Sequence, residues 1–185
     1  MPVSTQVRLV RWSVLGAGLL LGLAAVLSWA ALAHLAGLHV RMVSDGQLRQ
    51  ARADMLNSLY TAAVSALVLI PVGLLLGRPS SKARTAVWIA APIIALTTLC
   101  FLVGGPEWAV APTGEEPAEL RAEYAQVVPD WYVWPHGVAG LLAAALLIFA
   151  AVYLTRADLR EHYMDGSGSG GTAGYTSWID RTGGA

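Results

Sequence analysis

Four apolar blocks alternate with polar stretches along the chain, and each is close to the length that crosses ~30 Å of hydrocarbon. They predict transmembrane helices at about 12–37, 58–77, 85–103 and 136–155. No Asp, Glu, Lys or Arg interrupts the first, Trp12 to Gly37. Pro71 and Pro92 fall inside the second and third, where neighbouring groups in a bundle can accommodate the freed backbone. Thr97 and Thr98 can bond back to their own helix and need not mark a polar path.

The connections carry their own signals. Ser44 with Gln47 three positions on is a capping box, and nothing after Asp45 breaks a helix until about Leu76. A single long helix is therefore expected, projecting outward, with only the part after Asn57 in lipid. Leu48, Met55 and Leu59 share one side of it, and Asp45, Arg49 and Arg52 another, a pattern suited to a membrane surface. In the second outer loop, Thr113 with Glu116 is another capping box, with Pro117 in the first turn, predicting a short helix from about Glu115 to Val127. Small-residue pairs at four-residue spacing, Gly18/Gly22, Gly73/Gly77 and Gly140/Ala144, predict faces where helices pack closely. Trp29, Trp108, Trp131, Tyr132 and Trp134 are expected as interfacial anchors.

Composition agrees with this reading. Of 185 residues, 56% are hydrophobic and 13% charged, against about a quarter charged in soluble domains. The expected fold is all-α: a polytopic four-helix membrane domain over 12–155, outer loops at 38–57 and 104–135, a short N-terminal flank 1–11 and a mostly disordered tail 156–185. Ala31-Leu32-Ala33 resembles a signal cleavage site, but the apolar run before it is longer than a signal h-region, so an uncleaved span is expected. Arginine outnumbers lysine eleven to one, as in proteins from GC-rich bacterial genomes.

Charge sets the expected orientation. The N-terminal flank, the short linker and the tail hold eight basic residues: Arg8, Arg11, Arg78, Lys82, Arg84, Arg156, Arg160 and Arg181. The two longer loops hold four, Arg41, Arg49, Arg52 and Arg121, over more residues. The positive-inside rule then predicts a plasma-membrane protein with both termini cytoplasmic. The second outer loop is acidic, with Glu107, Glu115, Glu116, Glu119, Glu123 and Asp130 against Arg121. Weak, exposed pairing between the two outer loops is expected.

Candidate chemistry is sparse. Net charge is zero, which offers nucleic acid no attraction. Cys100 is the lone cysteine, which excludes an intramolecular disulfide or a CxxC site. His34 and His136 are candidate haem or cofactor ligands and His39 a candidate metal ligand, all at the outer face. Five-residue spacing puts His34 and His39 on different helical faces, and wet interfacial imidazoles explain them without a ligand. Glu115, Glu116 and Glu119 follow no EF-hand pattern and read as a solvated acidic loop. No nucleophile elbow, phosphate loop or HExxH motif occurs, and no base is readable beside the serines and threonines of the spans.

The expectation is a non-catalytic accessory protein or subunit without a cofactor, in contact with membrane lipid and with another membrane protein or its own copies. A cofactor-bearing or lipid-handling enzyme at the outer face is the alternative, and an oligomeric small-molecule transporter a further one.

Overall fold

The computed structural model describes residues 3–77, 81–106, 117–156 and 159. Its elements are α1 (Val3–Ala36), α2 (Asp45–Leu75), α3 (Ser81–Val103), α4 (Ala118–Val127) and α5 (Asp130–Leu154). No strand occurs among the described residues. Four helices, all but α4, are long and apolar enough to cross a membrane.

The capping box forms at Ser44, whose hydroxyl accepts from the Gln47 backbone while the Gln47 side chain receives the Ser44 N–H. From there α2 continues through Pro71 as one helix. Several boundaries differ from the sequence expectation: α1 begins at Val3, within the expected N-terminal flank, and α3 at Ser81. α5 begins at Asp130 rather than His136, because Pro129 holds the extended backbone an N-cap needs and Pro135 is accommodated within the helix. Trp131 to Trp134 are thus helical, not a loop. α4 begins at Ala118 with Pro117 as N-cap. The expected Thr113–Glu116 box and Trp108 lie outside the described residues, as does the tail beyond Leu159.

Small residues line the interior. Buried positions recur every three or four residues: Ala17, Leu21, Ala24, Ser28 and Ala31 on α1, and Ala62, Ala66, Leu69 and Gly73 on α2. α3 contributes Ala83, Val87, Ala91 and Ala95, and α5 contributes Ala139, Gly140, Ala143, Ala144 and Leu147. Large apolar residues such as Leu19, Leu67, Leu96 and Leu141 point outward. Lipid is as apolar as leucine, so burying large side chains gains little, whereas small ones let backbones approach.

The glycines report that approach directly. A Cβ on Gly18 would lie 2.9 Å from Ile70 Cγ1, and one on Gly73 2.8 Å from Leu15 Cδ2. On Gly140 it would meet Thr98 and Leu102, and on Gly77 the Arg11 guanidinium at 3.0 Å. At Gly22 the nearest atom, Ala66 Cβ, is 3.9 Å away. α1 packs along both α2 and α5, and α3 lies on α5 but touches α2 only briefly. The four long helices therefore leave a seam between α2 and α3.

A second, smaller core forms where the α1–α2 connection meets α4, here termed the loop end of the bundle. Ala31, Val43, Ala51, Met55, Tyr124, Val127, Val128 and Tyr132 pack there.

Candidate functional site

Three polar side chains from three helices meet near the loop end. Ser28 of α1 donates to the Ala24 carbonyl at 3.0 Å and lies 3.3 Å from Ser58 of α2. The Ser58 hydroxyl lies 2.8 Å from His136 Nε2 of α5. Both serines are buried. They continue the small-residue stripes of α1 and α2, so the same close approach that Gly18 and Gly73 permit brings the two hydroxyls together. The Tyr132 ring, one turn before His136, stacks on the imidazole at 4.9 Å.

The proton count gives this chain a direction. Each hydroxyl has one proton to donate. That of Ser28 goes to Ala24, so a proton between the serines must come from Ser58. Ser58 then has none left for the imidazole, and His136 donates through Nε2–H. The satisfied arrangement runs His136 to Ser58 to Ser28 to the Ala24 carbonyl. The reverse polarity, Ser58 donating to His136, sets two hydroxyl lone pairs against each other across the Ser28–Ser58 contact.

A cleft opens beside this chain at the α2–α3 seam, lined by Ser58, Thr61, Thr98, Phe101, His136 and Gly140 among others. Its volume is about 20 Å³, room for about one water. A second small cleft is also lined by Ser58 and His136, with Pro106 and Gly137.

The histidines expected as ligands are not brought together. His34 Nε2 lies 3.1 Å from the Gln126 carbonyl, and its ring meets Trp131 edge-on. His39 is exposed in the α1–α2 connection. Among the described residues, no three of His, Cys, Asp and Glu are placed to hold a metal ion. Trp29, Trp131 and Trp134 are exposed, whereas Tyr132 is buried at 1% and faces His136 and the loop-end core. Helical phase is the reason: once α5 starts at Asp130, Tyr132 and His136 share one face, and Trp131 and Trp134 turn outward.

Two arrangements were not readable from sequence. Serines in the spans showed no nearby base, yet Ser58 has His136 within hydrogen-bond reach; the contact joins residues 78 positions apart. The weak charge pairing expected between the loops takes another form. Glu123 of α4 accepts backbone N–H groups from Met42 at 2.8 Å, from Arg41 at 3.2 Å and from Val43 at 3.3 Å. Gln47 adds a bond to the Tyr124 hydroxyl at 3.2 Å. The Met42 N–H is the largest cause that holds the Glu123 carboxyl below its ordinary pKa, with the Arg41 and Val43 amides and the Arg41 charge adding to it against partial desolvation.

Compared with protein-family models, with curated proteins and with solved structures, the chain has no match.

Proposed function

We propose that this chain is a non-catalytic membrane subunit that binds another membrane protein along the α2–α3 seam. The observation that carries the reading is the seam itself: α3 is held by α5 and barely by α2, and the cleft left between them presents Ser58, Thr61 and Thr98 among apolar side chains. A partner helix with a polar side chain at that depth would gain close packing and a hydrogen bond, the two terms that drive helix association in lipid. The small-residue pairs support the reading less than their spacing suggested, since Gly18, Gly73 and Gly140 are filled from within the chain.

The setting we propose is the plasma membrane of a bacterium with both termini cytoplasmic. The arginine distribution supports it, and in that setting the start of α2 projects outward.

A lipid-handling enzyme is the second reading, favoured by the Ser58–His136 contact. Proton polarity counts against it: an imidazole that donates to Ser58 is not the base that would activate its oxygen.

Crosslinking in native membranes tests the first reading, from Thr61→Cys in a Cys100→Ser background with Leu19→Cys as the control. Thr61→Cys should capture a second protein that Leu19→Cys does not. Crosslinks only within the chain or to its own copies would defeat the proposal. A fluorophosphonate probe that labels the protein but not its Ser58→Ala variant would move the weight to the enzyme.

A further inference from the structure

At the end of the bundle opposite the loop end, α1 carries Arg8 and Arg11, three positions apart and so neighbours on the helix surface. Arg8 is exposed. Arg11 lies against the end of α2, where Gly77 leaves it room: a Cβ on Gly77 would come within 3.0 Å of the Arg11 Nη1. The Arg11 Nε is buried without a hydrogen-bond partner. Among the described residues neither arginine has an ion-pair or hydrogen-bond partner. The sequence places no carboxylate nearby on these helices, since no Asp or Glu occurs before Asp45 or between Asp54 and Glu107. A guanidinium partly withdrawn from water and left without an acceptor gains strongly from an anion.

Depth identifies that anion. Trp12 and Trp29, both exposed on α1, are about 26 Å apart at 1.5 Å per residue, near the hydrocarbon thickness. Arg11 and Arg8 lie about 1.5 and 6 Å outside the Trp12 level. Headgroups occupy roughly 5–8 Å outside the hydrocarbon on each side, so both guanidinium groups sit in the headgroup layer. Apolar side chains continue below them. On α1, Leu19 follows Arg8 and Trp12 on one exposed face. On α2, Ile70, Leu74 and Gly77 share a face; Ile70 meets Gly18 and Gly77 meets Arg11, so Leu74 between them borders α1. Leu67, three positions before Ile70, continues that row, and Leu74 and Leu67 are both exposed. With Gly77 level with Arg11, Leu74, Leu19 and Leu67 lie about 3, 11 and 14 Å inside the Trp12 level, which spans one leaflet of ~15 Å.

We propose that the α1–α2 surface at this end binds an anionic phospholipid. The phosphate bridges Arg8 and Arg11, and one acyl chain lies on Leu74, Leu19 and Leu67. Arginine suits this role because its planar fork of donors matches two phosphate oxygens. Gly77 gives the site its shape, since a side chain there would displace the Arg11 guanidinium. In the orientation proposed above, this is the cytoplasmic leaflet, where anionic lipids carry the surface charge. The site lies on the α1 side of α2 and is independent of a partner at the α2–α3 seam.

The test is native mass spectrometry of the full chain released from nanodiscs of phosphatidylcholine mixed with phosphatidylglycerol. Wild-type protein should retain phosphatidylglycerol over phosphatidylcholine, and Arg8→Gln with Arg11→Gln should lower that retention roughly 30-fold, at about 1 kcal/mol per arginine. Arg8→Gln alone, at an exposed position, should lower it about 5-fold and melt as wild type does in pure phosphatidylcholine. Gly77→Leu, which keeps every charge but crowds Arg11, should also lose retention. Lys82→Gln removes an exposed charge on α3, which does not pack along α1, and should leave retention unchanged. Equal retention of the two lipids by wild type, or undiminished phosphatidylglycerol on the arginine variants, would overturn the proposal. So would a loss in Lys82→Gln as large as in Arg8→Gln, which would mean that net charge and not a site holds the lipid. Glycerol phosphate competing as well as the whole lipid would also overturn it, by showing an anion site without a chain site. If wild type retains nothing and Asp158→Asn with Glu161→Gln creates retention, the chain's own acidic residues after α5 are the occupant and the lipid proposal fails.

Discussion

Glu123 and His136 make their contacts by opposite means. The Glu123 carboxylate lies at the surface, yet three consecutive backbone N–H groups converge on it, and so it fastens α4 to the α1–α2 connection. An acid whose folded-state pKa lies below its unfolded value contributes stability that is present above the unfolded pKa and lost as pH falls through the folded one. The clamp should therefore hold at neutral pH and open only below the ordinary value of 4.5. Amide proton shifts of Arg41, Met42 and Val43 should titrate together with a midpoint under that value and stay still in Glu123→Gln. A shared midpoint above it would contradict the assignment. His136 instead closes a buried hydrogen-bond chain with Ser58 and Ser28, so its contribution rests on geometry that only three assembled helices supply.

At the scale of the helices, close approach between α1 and α2 sets the tolerance to substitution. Gly18 and Gly73 sit where a Cβ would press on Ile70 and Leu15, with the neighbouring backbone N atoms each at 3.4 Å. Those side chains have little room to yield, so Gly73→Leu or Gly18→Leu should cost about 1–3 kcal/mol, as overpacking of a core does. Gly22 has ordinary contact distance to Ala66, and Gly22→Ala should leave stability unchanged. Thermal unfolding in one detergent for all three variants gives the comparison. A fall in midpoint for Gly22→Ala as large as for Gly73→Leu would mean that helix separation is not set by these contacts. The spacing of the pairs was visible along the sequence. That Gly18 and Gly73 are tight and Gly22 is not depends on which residue the facing helix places opposite, and spacing alone carries no such information.

For the whole molecule, the arginine distribution and the helix order lead to one topological prediction. With both termini cytoplasmic, an engineered cysteine at Leu120 on α4 should react with an impermeant maleimide on intact cells, in a Cys100→Ser background. A cysteine at Ser80 should react only after the membrane is opened. The reverse pattern would turn the chain over and place α4 on the cytoplasmic side.

By itself the sequence determined the helical class, the four long apolar segments and the Ser44–Gln47 start of α2, because these depend on hydrophobic length and local hydrogen bonding. It did not determine where α5 begins, since Pro135 was compatible with either a loop or a helix interior and the Pro129 cap decided it. The Ser28–Ser58–His136 chain, the Glu123 clamp and the α2–α3 seam were decided by tertiary structure alone. Each joins residues distant along the chain, and nothing in either partner's local sequence encodes the other. Small residues are permissive in lipid: many pairings of such stripes are sterically open, and which stripes meet is fixed only when all the helices pack at once.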